Sequence, residues 1–219
     1  MKILNLFAGI GGNRLKWTEA TVTAVEFDPD IAEIYQKRFP DDVVVIQDAY
    51  RYLEDHLQDG WDLIWASPPC QTHSRQVYRQ KIRPIPDFGL YALIWYLQKY
   101  AKCSWVVENV KVIDEVIPHT AEIGRHWLWS NIPLPSIDLP KLYHPKTYIG
   151  SDGKKHNGGL SDLRYDELMA VHQIKINFTH PKKRSILRNC VDYRIGEHIY
   201  QQLKTNTTQE KKTLDGFFS

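Results

Sequence analysis

Cys70 stands in Ala66-Ser67-Pro68-Pro69-Cys70-Gln71-Thr72-His73-Ser74, and Arg75, Arg79, Lys81 and Arg83 follow it with no acid before Asp87. Proline stiffens a loop. A thiol held on such a loop beside cations suits a low-pKa thiolate nucleophile, and the cations suit phosphate contact. Glu108, in Glu108-Asn109-Val110, is a candidate proton donor if burial raises its pKa. The run Phe7-Ala8-Gly9-Ile10-Gly11-Gly12 lets backbone approach a ligand closely. Glu26, 17 residues past Gly9, can accept from both ribose hydroxyls, and Asp48 can accept from an adenine amino group. Singly these are a tight turn and two exposed turn acids. Together they read as a nucleoside pocket, one that fits a dinucleotide or S-adenosylmethionine equally.

The elements that must position these residues follow from the pattern. Short apolar runs at 2–7, 21–27, 42–46, 61–66 and 104–107 predict strands, and 126–130 a sixth. Helices are predicted from about Asn13 and over 29–39, 49–57 and 86–101. This alternation implies an α/β, Rossmann-like fold: a mostly parallel twisted sheet with helices on both faces. Right-handed crossovers bring the strand C-terminal ends to one edge, where ligands bind. Each candidate residue lies just past one of those ends. Residues 132–160 predict a proline- and glycine-rich insertion, 163–172 and 192–203 further helices, and 204–219 a mobile polar tail with an apolar tip.

With 219 residues, 42% apolar and 25% charged, the chain is an ordinary globular one, not fibrous or disordered. Charge is uneven: net −5 over residues 1–60, +3 over 61–110 and +4 over 111–219. Three widely spaced cysteines predict reduced thiols. No apolar run approaches a membrane span, and the early glycines argue against a secretory leader, so an intracellular protein is expected.

Leu6-Phe7-Ala8-Gly9-Ile10-Gly11-Gly12, Pro69-Cys70-Gln71 and Glu108-Asn109-Val110, in this order and spacing, resemble the DNA (cytosine-5)-methyltransferases. The resemblance spans residues 3–131 and, more weakly, 163–200. It implies an S-adenosylmethionine cofactor on the turn of Gly9 and Gly11, with Phe7 on the adenine side, Glu26 on the ribose and Asp48 on the adenine amino group. It implies Cys70 as nucleophile, Glu108 at ring nitrogen 3 of a flipped-out cytosine, and double-stranded DNA as the partner. Pro69, Gln71, Ser74, Arg75, Asn109, Lys154 and Lys155 become substrate contacts. Arg188-Asn189-Cys190-Val191 resembles the family's Gly-Asn-x-Val segment, so Asn189 and Val191 would close the cofactor's methionine end.

The chain also departs from the family pattern. Asn5 replaces a frequent Asp. The Gln-x-Arg-x-Arg segment is reduced to Gly124-Arg125-His126-Trp127, where Arg125 is expected to assist catalysis and His126 shares the claim by one register step. The insertion at 132–160 is far smaller than a usual target-recognition region, which predicts a core of 1–131 completed by 161–203. Two other functions fit the same motifs: RNA (tRNA) cytosine-5 methylation, and a non-catalytic DNA-binding relative. At the C-terminus, Leu214, Phe217 and Phe218 resemble the peptide that binds sliding clamps of the PCNA type, with Lys211 in place of the usual Gln.

Overall fold

The computed structural model describes residues 1–74, 85–140, 147–149, 153–157 and 163–217, the stretch 206–217 by its backbone. Strands β1 (Lys2–Leu6), β2 (Thr21–Glu26), β3 (Val43–Ile46), β4 (Leu63–Ala66) and β5 (Ser104–Val110) are parallel. Strands β6 (Ala121–Ile123) and β7 (His126–Ser130) extend the sheet antiparallel, giving the order β3-β2-β1-β4-β5-β7-β6. The expected Rossmann-like fold is therefore present, as a mixed seven-stranded sheet. The three-residue strand β6 is too short to stand out in the sequence pattern, although Ala121 and Ile123 pack into the core.

Strand alternation sorts side chains to two faces. Leu4, Leu6, Ile64, Ala66 and Val107 pack beneath helices α2 (Ala49–His56) and α3 (Gly89–Tyr100). Ile3, Leu63, Trp65, Val106 and Leu128 pack on the other face. There the cover is Trp17, which follows a single 3-10 turn at Asn13–Lys16, and helix α6 (Tyr193–Phe217). Helix α6 contributes Ile195, Ile199, Tyr200 and Leu203, one stripe at helical spacing. Helix α1 (Pro29–Arg38) has Asp28 as N-cap, accepting from the Asp30 and Ile31 amides, with proline next in line. It packs Ile34 against Leu168 of α4 (Tyr165–Val171) and Leu187 of α5 (Lys183–Asn189).

Three expectations change. The helix from Asn13 is only the 3-10 turn. Helix α5 was not foreseen. Helix α6 does not stop at Leu203: Lys204 pairs with Glu19 at 2.6 Å, no proline follows, and the backbone is helical to Phe217. Within the insertion, β8 (Thr147–Ile149) and β9 (Lys155–Asn157) form a hairpin. Among the described residues, no helix is long and apolar enough to cross a membrane.

Candidate active site

The strand register builds the site. Leu6 pairs with Val25 and Ala66, and Ala66 with Val107, so the next residues along, Glu26, Phe7, Ser67 and Glu108, stand in one row at the C-terminal edge. Gly9 adopts φ +53°, and a Cβ there would meet no atom within 4 Å: the turn faces open space on its ligand side. Glu26 straps the turn, with Oε2 accepting from the Gly9 amide at 2.8 Å and Oε1 from the Asp28 amide at 3.0 Å. Each oxygen keeps a further lone pair for a hydroxyl. A Cβ on Gly11 would run into the rings of Tyr35 and Phe39, so this position admits glycine alone. Asp48 caps α2 through Oδ1, at 3.0 Å from the Arg51 amide; among the described residues its second oxygen accepts no such bond. Phe7 stacks edge-on against Tyr50, with ring centroids 5.2 Å apart. Phe27, 74% exposed directly after Glu26, and Ile46, 58% exposed at the end of β3, offer apolar surface beside these acids. Both escaped the sequence reading. An aromatic following the acid was the available signal.

A cradle left open by glycine, a carboxylate at its rim, a second carboxylate at the next strand end and apolar surface between them fit a nucleoside. The C-terminal segment closes the other side. A Cβ on Gly12 would lie 2.5 Å from Cys190 Sγ and closer still to the Val191 carbonyl, so residues 190–191 press on the turn. Asn189 is exposed, as the last residue of α5. Cys190 is buried; burial alone would push its thiol up, but His172 and Arg38 beside it outweigh that and draw it down. Asn5, also fully buried, accepts from Asn13 Nδ2 at 2.8 Å, tying β1 to the end of the turn.

The Cys70 loop is held at both ends. The Pro68 carbonyl accepts from Asn109 Nδ2 at 2.9 Å, and the Cys70 carbonyl accepts from the His73 and Ser74 amides at 3.1 and 3.0 Å. Asn109, expected at the substrate, is instead buried and anchors the loop carrying the thiol. Cys70 is half-buried. Burial pushes its thiol up, the Glu108 carboxylate pushes it further, and Arg125 offsets part of this. A depressed thiol was expected; the raised one reflects a loop packed against a carboxylate. Pro69 and Gln71 are exposed and Ser74 half-buried. Arg75 and the cations at 79–83 lie outside the described residues, as does Phe218. Lys154 and Lys155 are exposed on the β8–β9 hairpin.

Glu108, 4% exposed, meets His126 rather than Arg125. His126 Nδ1 lies 2.5 Å from Glu108 Oε1, and Arg125 Nε lies 3.3 Å from His126 Nε2. The antiparallel register explains this: Glu108 opposes Leu128, so His126, two residues away, is its diagonal neighbour on the same face. Arg125, one residue earlier, belongs to the turn before β7 and contacts the imidazole instead.

The structure of EhMeth, an Entamoeba histolytica methyltransferase, is 12% identical with a TM-score of 0.54, over 94% of this chain and 98% of that one. An E. coli protein described as a DNA modification methyltransferase encoded within a prophage is 22% identical over 52% of this chain, with a TM-score of 0.36. Spodoptera frugiperda DNMT2 is 23% identical over 50%, with a TM-score of 0.37. This chain spans about a third of those two proteins, 33% and 35% of their lengths. No curated protein matches the sequence. The profile of the C-5 cytosine-specific DNA methylases, however, matches residues 1–115, which hold the open turn, the thiol loop and the buried carboxylate. On that match, over more than half of its 219 residues, the chain belongs to the C-5 cytosine-specific DNA methylase family, and its cofactor is S-adenosylmethionine.

Proposed function

We propose that this protein methylates carbon 5 of cytosine in DNA through a covalent adduct on Cys70. The observation that carries the reading is the juxtaposition of thiol and carboxylate: Asn109 pins the Cys70 loop to the strand bearing Glu108, close enough for the carboxylate to perturb the thiol. The open turn at Gly9, with Glu26, Phe27, Asp48 and the Val191 segment around it, fits S-adenosylmethionine, which when bound supplies an electrophilic methyl group. Carbon 5 of cytosine is a weak nucleophile. The Cys70 thiolate adds to carbon 6, forming a C–S bond and making carbon 5 enamine-like. Glu108 hydrogen-bonds or protonates ring nitrogen 3 and so stabilises the charge that this addition develops. Carbon 5 accepts the methyl group, its proton leaves to a base, and the C–S bond breaks to return the Cys70 thiolate. None of this is possible inside a base stack, so the nucleotide flips out, as methyltransferases in general require.

Incubation with methyl-labelled cofactor and, separately, DNA and RNA tests the substrate class: label in RNA alone overturns the DNA assignment. DNA carrying 5-fluorocytosine should trap an adduct on wild-type protein, because the proton at carbon 5 is replaced and elimination stalls. Cys70→Ser should form none, yet bind the cofactor with unchanged affinity by calorimetry. Turnover in Cys70→Ser at the wild-type rate would sink the nucleophile assignment.

The C-terminal segment supports a second contact. Leu214 and Phe217 lie three residues apart on the helical backbone of α6, spaced for one face. We propose that this end docks on a sliding clamp, which would tether the enzyme to DNA at high effective concentration. Calorimetry with a PCNA-type clamp, comparing the full chain with one ending at Lys212, decides it: binding lost with the last seven residues is expected, and equal or absent binding for both removes the idea.

A further inference from the structure

We propose that His126 is the positioning residue that decides which oxygen of Glu108 meets the base, and that Arg125 in turn fixes the tautomer of His126; this rests on the reading of Cys70 and Glu108 above. The two side chains form a buried pair on one face of β5 and β7, 2.5 Å apart between Nδ1 and Oε1. A guanidinium has only N–H groups to offer. Arg125 Nε, 3.3 Å from Nε2, therefore makes Nε2 the acceptor and leaves the ring proton on Nδ1, as the hydrogen-bond network assigns it. That proton is donated to Oε1. With Oε1 occupied as an acceptor, the proton that Glu108 shares with ring nitrogen 3 of cytosine resides on Oε2. Were the carboxyl free to turn, it could set a lone pair against the lone pair of nitrogen 3.

The relay is built into the backbone. The Arg125 carbonyl accepts from the Lys111 amide at 3.1 Å, just past the end of β5, which holds the turn against the strand bearing Glu108. Among the described residues, the charged groups around the imidazole are Glu108 from β5, Arg125 from the turn and Asp192 ahead of α6. Asp192 is itself engaged by Arg194 at 2.7 and 3.0 Å. Protonation of Nε2 would set an imidazolium N–H against the guanidinium and break the contact with Arg125. His126 thus acts by orienting the acid.

Two measurements test this separately from the methylation reading. In the full chain labelled with nitrogen-15 histidine, the His126 ring, identified by its loss in His126→Asn, should carry its proton on Nδ1. That resonance should move in Glu108→Gln and the tautomer preference should weaken in Arg125→Ala; a proton on Nε2 in the wild-type protein overturns the proposal whatever the substrate is. In methyl transfer, His126→Ala should lower kcat about 100-fold, the size of effect expected when a reacting group is misplaced by about 1 Å. KM for the nucleic acid and affinity for the cofactor should stay unchanged. His126→Asn sets an amide N–H near the former Nδ1–H and should recover most of the rate, although it cannot reach Arg125. Equal rates in wild type, Ala and Asn variants, or an equal loss in both variants with unchanged melting temperature, overturn the positioning role. A wild-type protein that transfers no methyl group to any cytosine removes the functional reading instead, and the tautomer measurement still decides this one.

Discussion

At the residue scale, the thiol and its carboxylate work against each other until a base arrives. Burial and the Glu108 charge hold the Cys70 thiol above its ordinary range, so little thiolate exists in the free protein near neutral pH. When Glu108 shares its charge or proton with cytosine nitrogen 3, one cause of that elevation is removed beside the carbon that the sulfur attacks. The sign follows directly. Alkylation of Cys70 by iodoacetamide, followed by mass spectrometry, should rise with pH later than for an ordinary thiol. In Glu108→Gln the curve should move to lower pH, since a neutral amide no longer repels the thiolate. A curve that moves to higher pH, or not at all, would show that the carboxylate does not govern this thiol.

At the element scale, the C-terminal helix holds the cofactor turn in place. Gly196 lets α6 lie directly on the backbone of Asn13: a Cβ there would overlap the Asn13 carbonyl, and Trp17 Nε1 donates to the Gly196 carbonyl at 3.0 Å. Tyr200, one turn on, accepts from the Glu19 amide at 3.1 Å. Alanine at 196 would gain about 1 kcal/mol in helix propensity. The added methyl meets main chain that cannot rotate aside, and such overpacking costs about 1–3 kcal/mol. Gly196→Ala should therefore lower the melting temperature. Because Asn13 is bonded to Asn5 and follows Gly12, it should also weaken cofactor binding measured by calorimetry. A more stable variant with normal affinity would contradict this account of the helix. None of it is legible in a local pattern, since the two partners are more than 180 residues apart in sequence.

At the scale of the whole molecule, charge and size would decide how the proposed nucleic-acid substrate is held. The acidic first 60 residues carry the cofactor turn, while the net positive charge lies beyond residue 60, with the thiol loop and the insertion. Among its described residues the insertion presents one hairpin, in which Ile149 opposes Lys155, both exposed. A two-stranded ribbon fits a major groove, and each good bidentate contact gives about 1–3 kcal/mol of discrimination. So small an element supports few such contacts. Affinity should rest mainly on phosphates and fall steeply with salt, and methylation should follow a short or loose sequence. Bisulfite sequencing of methylated random DNA measures this; modification confined to one site of five or more base pairs would contradict it.

Read by itself, the sequence determined the strand–helix alternation and the sheet edge at which the candidate residues gather. Those are local signals: apolar periodicity, a glycine turn, prolines before a cysteine. The tertiary structure decided who touches whom. It set Gly11 against the rings of Tyr35 and Phe39, made Asn109 the anchor of the thiol loop, gave the contact with Glu108 to His126 in place of Arg125, and raised a thiol expected to be low. Each of these depends on strand register or on burial by distant segments. A shift of one residue along β7 exchanges the two faces of the strand, and no local pattern records that choice.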